Sequence, residues 1–309
     1  MATARRHSLY TAVLGYATSQ TLDVKQITSE NFEANIEVLD HHAAGAIDRS
    51  AAIVTSSQPE FTIETEDIAG LLTSVMSWTT GKLFDETSYL YYAQREHGDA
   101  LTAGSNHRRV AIPLCYGYLE QVNADGVDQL ATASLRFCVL DDDSSTPWSV
   151  DTSQALPATA PGYNSSYFNG AVFENSTEIE GVLGQTWVTG IEIRKNFRVA
   201  SATPHTVAVV NRNPEFRFRL AEMSETDITD LVGRTVDTSM AFYLQKADNT
   251  YATANARVAR GTASHCKASF TAGHVSVQTV GGNGNEDVMA EVTVRPTGTV
   301  TFSAASAIP

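Results

Sequence analysis

The sequence predicts a mainly β protein: a mostly antiparallel β domain with one helix packed against it, carried twice in tandem. Three observations predict it. Short apolar runs rich in Val, Ile, Thr, Tyr and Phe alternate with polar turns, a texture that favours strands over long helices. Landmark residues recur in the same order at a nearly constant offset. Each recurrence ends in two runs joined by a Gly/Asn/Asp-rich turn, as a hairpin requires. With 309 residues, 42% hydrophobic and 18% charged, the chain has room for two ordinary folded domains.

The recurrence is read directly from the residues. Pro59-Glu60-Phe61 matches Pro214-Glu215-Phe216 at an offset of 155, and Asp67-Ile68 matches Asp227-Ile228 at 160. Ser105-Asn106-His107 answers Ala263-Ser264-His265 at 158, Gly117 answers Gly273 at 156, and Arg136 answers Arg295 at 159. Chance resemblance among β patterns explains one such match more easily than five in order. The copies are expected at residues 1–140 and 181–309, separated by an insert at 141–180.

Within a copy, residues 60–65 alternate apolar Phe61 and Ile63 with polar Thr62 and Glu64, which predicts a strand with one buried face. Residues 215–220 repeat the alternation with Phe216, Phe218 and Leu220. Ile68, Leu71, Leu72 and Val75 have helical spacing, so residues 67–76 are expected to form a helix, echoed by 227–236. A strand over 88–94 is answered by 239–245. The closing hairpin has arms at 110–122 and 129–140 around Asn123-Ala-Asp-Gly126, echoed by 268–280 and 287–294 around Gly281-Gly-Asn-Gly-Asn285.

Charge is distributed unevenly. The net charge is −14, and residues 141–180 hold seven acidic side chains and no basic one. A chain of this sign repels polyanions on average, which disfavours ordinary affinity for nucleic acid or an anionic membrane. Trp148, Tyr163, Tyr167 and Phe168 lie in the acidic stretch and argue for an ordered excursion, making them candidate contact residues. At matched strand positions Thr62 and Glu64 of the first copy become Arg217 and Arg219 in the second. Glu64, Arg217 and Arg219 are therefore candidate surface or interface residues, an acidic copy being complementary to an Arg-bearing neighbour.

Cys115, Cys138 and Cys266 are an odd set without CxxC spacing, so buried thiols in a reducing compartment are expected and a disulfide framework is not. No run approaches the length of a membrane span, and Leu9 to Ala17 lacks the features of a signal peptide, which predicts an intracellular origin. No phosphate-binding loop, HExxH, GxSxG or dinucleotide fingerprint is present. His41-His42 and the matched His107 and His265 lack metal-ligand spacing. Asp141-Asp142-Asp143 lacks the alternating ligands and distal Glu of a calcium loop. No catalytic, cofactor or metal residue is assigned, and a non-enzymatic protein is expected.

Pro59-Glu-Phe-Thr-Ile-Glu-Thr-Glu-Asp-Ile-Ala-Gly-Leu-Leu72, then Tyr89-Leu-Tyr-Tyr92, then the hairpin from Val110 to Leu140, resemble the tail tube proteins of long-tailed bacteriophages. The resemblance covers both copies, though not the acidic insert. It implies a β-sandwich or barrel-like domain with one flanking helix, six such domains per ring, with inner sheets joined into a continuous barrel and rings stacked into a DNA conduit. A duplicated chain then implies homotrimeric rings, and segment 3–15 is expected to contact the next ring. Implied partners are further copies of the chain and the tape-measure, tail-terminator and baseplate proteins. DNA would pass without specific binding, in a virion tail assembled in the host cytoplasm. The alternative is a capsid-decorating or host-binding tandem β-sandwich, with the aromatic stretch 148–173 as its ligand surface.

Overall fold

A computed structural model of the chain describes residues 6–13, 27–41, 44, 51–71, 78–95, 107–143, 146–155, 166–199, 201–221, 235–236, 239–248, 257–281 and 289–309. These residues are mainly β, and every strand pairing is antiparallel. The largest sheet has ten strands. In spatial order its path runs Thr235–Val236, Gly273–Gly281, Met289–Pro296, Glu215–Ala221, Val182–Val188, Cys115–Ala124, Thr132–Val139, Glu60–Thr65 and Ile27–Glu33. Lys82–Phe84 pairs with Cys115–Ala124 off this path.

Each half of the chain adds a smaller sheet. In the first half it is Arg6–Val13, Ser88–Arg95, His107–Ile112 and Ser149–Gln154. In the second it is Thr177–Ile179, Tyr167–Glu174, Met240–Lys246, His265–Phe270 and Thr301–Ser306. Two hairpin arms complete the fold, Ile36–His41 with Ala51–Ser57 and Ile191–Phe197 with Pro204–Arg212.

The core follows from alternation. Phe61, Ile63 and Thr65 are buried while Glu60, Thr62 and Glu64 lie on the opposite face, because successive strand side chains point to opposite sides. Phe216, Phe218 and Leu220 behave in the same way. Phe61 stacks on Phe137 at 4.3 Å, and Phe216 stacks on Phe242 at 4.8 Å and meets Phe270 at 5.3 Å. One continuous apolar cluster unites the three sheets. Burying each of these rings stabilises by roughly 1.5–3 kcal/mol.

Strand pairings recur between the halves with their irregularities. Phe32 lies opposite Phe61, and Trp187 lies opposite Phe216. The slip between Ile27 and Ser29 reappears between Val182 and Gly184. In the arms, the bulge after Glu37 reappears after Glu192. The shift between Ser134 and Leu135, opposite Gln121 and Leu119, reappears opposite Thr279 and Val277. The smaller sheets share the order of their four principal strands.

Several expectations need correction. The ten-stranded sheet is open, and no closed barrel occurs among the described residues, because its two end strands do not pair with each other. The helix expected over 67–76 is described only at Ile68–Gly70, where Asp67 Oδ1 accepts from Gly70 N at 3.2 Å; residues 72–76 lie outside the described residues. Residues 227–234 also lie outside them, and Thr235–Val236 is strand, held by Gly273 and His274.

The run 110–122 is two strands in different sheets, divided at Pro113-Leu114, since proline cannot donate to a ladder. The run 268–280 divides in the same way at Thr271-Ala272. The turn at 282–285 lies outside the described residues. The stretch 141–180 supplies sheet strands: Ser149–Gln154 pairs with His107–Ile112, and Tyr167–Glu174 pairs with Met240–Lys246. Of segment 3–15, residues 6–13 form a sheet strand opposite Ser88–Arg95, and residues 3–5, 14 and 15 lie outside the described residues. Two landmarks shift by two residues. The counterpart of Gly117 in the strand register is Val275, and that of Arg136 is Thr293.

Candidate assembly interface

The halves meet edge to edge. Gln121, Val122, Asn123 and Ala124 lie opposite Val188, Trp187, Thr186 and Gln185, making one ladder of two half-sheets. Val122 and Trp187 are buried beneath this seam. On its outer face Thr186 Oγ1 donates to Asn123 Oδ1 at 3.1 Å, and Arg219 pairs with Asp125 across the joint. Thr189 closes one end, with Oγ1 donating to Leu119 O at 2.5 Å and N to Glu120 O at 3.1 Å.

Under the seam, Gln185 ties the large sheet to the small sheet of the second half. Its Nε2 donates to Asn169 Oδ1 at 2.9 Å and Tyr243 O at 2.7 Å, and its Oε1 accepts from Trp187 Nε1 at 2.9 Å. The amide is thus satisfied on both sides in a buried site, which rigidifies the joint.

The second arm then lies on the first half. Lys195 Nζ pairs with Glu60 and donates to Gln58 Oε1 at 3.1 Å. Ser57 N donates to Ala202 O at 2.9 Å, and Asp141 N to Pro204 O at 2.8 Å. Glu60 also meets Arg136 at 3.3 Å, and Glu120 lies 3.8 Å from Arg136. The neighbouring Cys138 thiol is pushed up to about 12 by burial and then by the Glu60 charge. Cys115 and Cys266 are likewise buried thiols, each pushed up to about 12 chiefly by burial.

The equivalent spot in the second half is Glu215, which accepts from Arg217 Nε at 2.5 Å and Arg295 Nε at 3.0 Å. Burial raises its pKa, but the hydrogen bonds and charges of the two arginines outweigh this and hold the carboxyl below its ordinary range. Arg217 therefore belongs to a charged cluster and Arg219 to the seam. Glu64 Oε2 instead accepts from Ser29 Oγ at 2.8 Å, beside the edge strand Ile27–Glu33.

The aromatic candidates have separate environments. Trp148 meets Phe32 edge-on at 4.9 Å, and Tyr167 is buried. Phe168 lies under the Arg257 guanidinium at 4.9 Å, and Tyr163 lies outside the described residues. They do not form one exposed patch, since Phe173 is also buried. His107 and His265 both begin buried strands. His265 Nδ1 accepts from Lys246 N at 3.0 Å and its Nε2 faces Ala259 O at 3.0 Å, as in a structural imidazole. No group of three His, Cys, Asp or Glu close enough to hold a metal occurs among the described residues.

Sequence reasoning missed both arms. They carry Ile36, Val38, Leu39, Ile53 and Val54 in one case and Phe197, Val199, Val209 and Val210 in the other, all exposed. Exposed apolar side chains gathered on a two-stranded arm mark interaction surface. The available signal was Ile36-Glu37 against Ile191-Glu192 at the offset of the Pro-Glu-Phe landmark. No protein-family model and no curated protein matches this chain.

Proposed function

We propose that this chain is a virion structural protein, the tail tube subunit of a long-tailed phage, which assembles into closed rings that stack into a conduit. The observation that carries the reading is the seam: two similarly paired half-sheets join edge to edge inside one molecule, while the composite sheet is open at both ends among the described residues. Open edges of a long sheet invite further pairing, and a ring of copies covers them all. The recurring pairings support a duplicated domain, so that three chains supply six like units per ring.

The role is passive and non-catalytic. The face of the ten-stranded sheet opposite the core carries Glu64, Arg219 and Glu291 beyond the charged clusters at Glu60 and Glu215, and this part of it is the lining we assign to the bore. The net charge of −14 belongs to the chain as a whole, and its sign, which repels DNA on average, supports passage without holding. Tape-measure, terminator and baseplate proteins would cap and fill the tube. Negative-stain imaging with a mass measurement of the purified chain tests this. Rings or tubes with three chains per ring are expected, and a monodisperse monomer at high concentration would overturn it.

A further inference from the structure

We propose that neighbouring chains join by repeating, between molecules, both parts of the joint that links the halves within one molecule: the strand seam and the arm contact. This rests on the ring-forming reading above and adds its residue-level register and charge code.

The strand register follows by transposition. The internal seam sets Val188, Trp187 and Thr186 opposite Gln121, Val122 and Asn123. The pairings with the next strand inward make Glu33, Phe32 and Asn31 the counterparts of the first three. Those around the shared bulge make Thr279, Val280 and Gly281 the counterparts of the others. Glu33, Phe32 and Asn31 of one chain therefore lie opposite Thr279, Val280 and Gly281 of the next.

Both segments are available for this. Among the described residues, Ile27–Glu33 pairs with Glu60–Thr65 alone. The outer edge of Gly273–Gly281 is paired, among the described residues, only at Gly273 and His274, by Thr235–Val236. The internal seam has the same neighbour, because Lys82–Phe84 holds Cys115 to Gly117 and leaves the stretch from Gln121 for the joint.

Burial points to the same missing neighbour. Asn35 and Gly190 form the same corner, with φ of 43° and 61°, and each carbonyl accepts from the returning strand, from Gln58 N and Asn213 N respectively. The next residue is Ile36 in one arm and Ile191 in the other. Ile191 is 8% exposed, its arm lying along Cys115–Ala124, whereas Ile36 is 51% exposed. Identical side chains at matching corners differ because, among the described residues, only the second arm meets its landing surface within the chain. A second copy supplies that surface to the first arm.

Charge fixes which half receives which arm. Lys195 lands where Glu60 and Glu120 outnumber Arg136. The arm register makes Asp40 the counterpart of Lys195, and it is an exposed acid at the same place in its hairpin. Its landing site is Glu215, where Arg217 and Arg295 outnumber the single carboxylate. Both the arm charge and the site charge are inverted together. Asp40 against Glu60, or Lys195 against the two arginines, would set like charges side by side, so only alternating halves join. Ala34 replaces Thr189, so the intermolecular joint lacks the hydroxyl bond to the strand backbone and is the weaker of the two.

The test uses the full chain and compares ring formation across concentration. D40K and R217E should each raise the concentration required by about tenfold or more, as like-charge contacts do, and D40K/R217E together should recover most of the loss. Independently, E33C/T279C should form interchain disulfides under mild oxidation, up to a covalent trimer, the native thiols being buried. If wild-type rings form but D40K/R217E brings no recovery, or E33C/T279C stays uncrosslinked, this register is overturned while the ring reading stands. If the wild-type chain forms no rings, both fall.

Discussion

The Gln185 side-chain oxygen accepts the Trp187 indole N–H at 2.9 Å, while the same amide donates to Tyr243 O at 2.7 Å. Two residues on one face of one strand thereby fix both the largest buried side chain of the seam and the neighbouring sheet. Replacing Gln185 by Leu keeps the volume roughly constant but leaves the indole N–H, Asn169 Oδ1 and Tyr243 O without this partner. An unsatisfied buried group costs about 1–3 kcal/mol, so Q185L should lower unfolding stability by roughly 2–5 kcal/mol. Urea unfolding followed by tryptophan fluorescence checks it. A change below about 0.5 kcal/mol, the scale of an ordinary surface substitution, would show that the network contributes little.

The arm corner predicts a second asymmetry. Gly190 has φ of 61°, and a Cβ there would lie 1.9 Å from Asn213 O. Backbone, not a movable side chain, occupies the space, so G190A should cost about 3 kcal/mol or more and loosen the second arm from the first half. At the matching corner Asn35 has φ of 43°, and its Nδ2 donates to Gln58 O at 3.2 Å. Asn tolerates this region, so N35G should cost less than about 1 kcal/mol. Thermal melts of the two variants side by side distinguish a real constraint at Gly190 from general intolerance of arm substitutions.

Legibility in the sequence followed burial geometry. Glu60–Thr65 and Glu215–Ala221 were readable because one face meets the core and the other does not, which imposes period two. The arms were not, because Ile36–Asp40 and Ala51–Thr55 carry apolar residues on both faces with no core beneath them. Ser149–Gln154 is polar and largely exposed, so it carries no period-two apolar signal although it pairs with His107–Ile112. The Arg136–Arg295 match is two residues out of register yet on the correct face, since a shift of two preserves side. Both arginines consequently reach the matched glutamates, Glu60 and Glu215. The role of Arg217 and Arg219 as charged surface was legible from alternation; their partners Glu215 and Asp125 required the fold.

Acid should act in opposite directions on two glutamates. Glu30 is raised above the ordinary carboxylate range by burial, which outweighs the hydrogen bond it accepts from Tyr92 Oη at 2.8 Å. Its folded pKa lies above its unfolded value, so keeping it charged costs stability at neutral pH, and that cost is relieved as pH falls through the folded value. Glu215 is lowered, burial being outweighed by Arg217 and Arg295. Its contribution is present above the unfolded pKa and is lost as pH falls through the folded one. At pH 7, E30Q should therefore be neutral or stabilising, since Gln still accepts from Tyr92, and E215Q destabilising by about 1 kcal/mol with solvent-exposed arginines as partners. Both differences should shrink toward zero as the pH is taken below the folded pKa of each group. Urea denaturation at a series of pH values reads the two slopes, and slopes of the same sign would contradict the burial of Glu30.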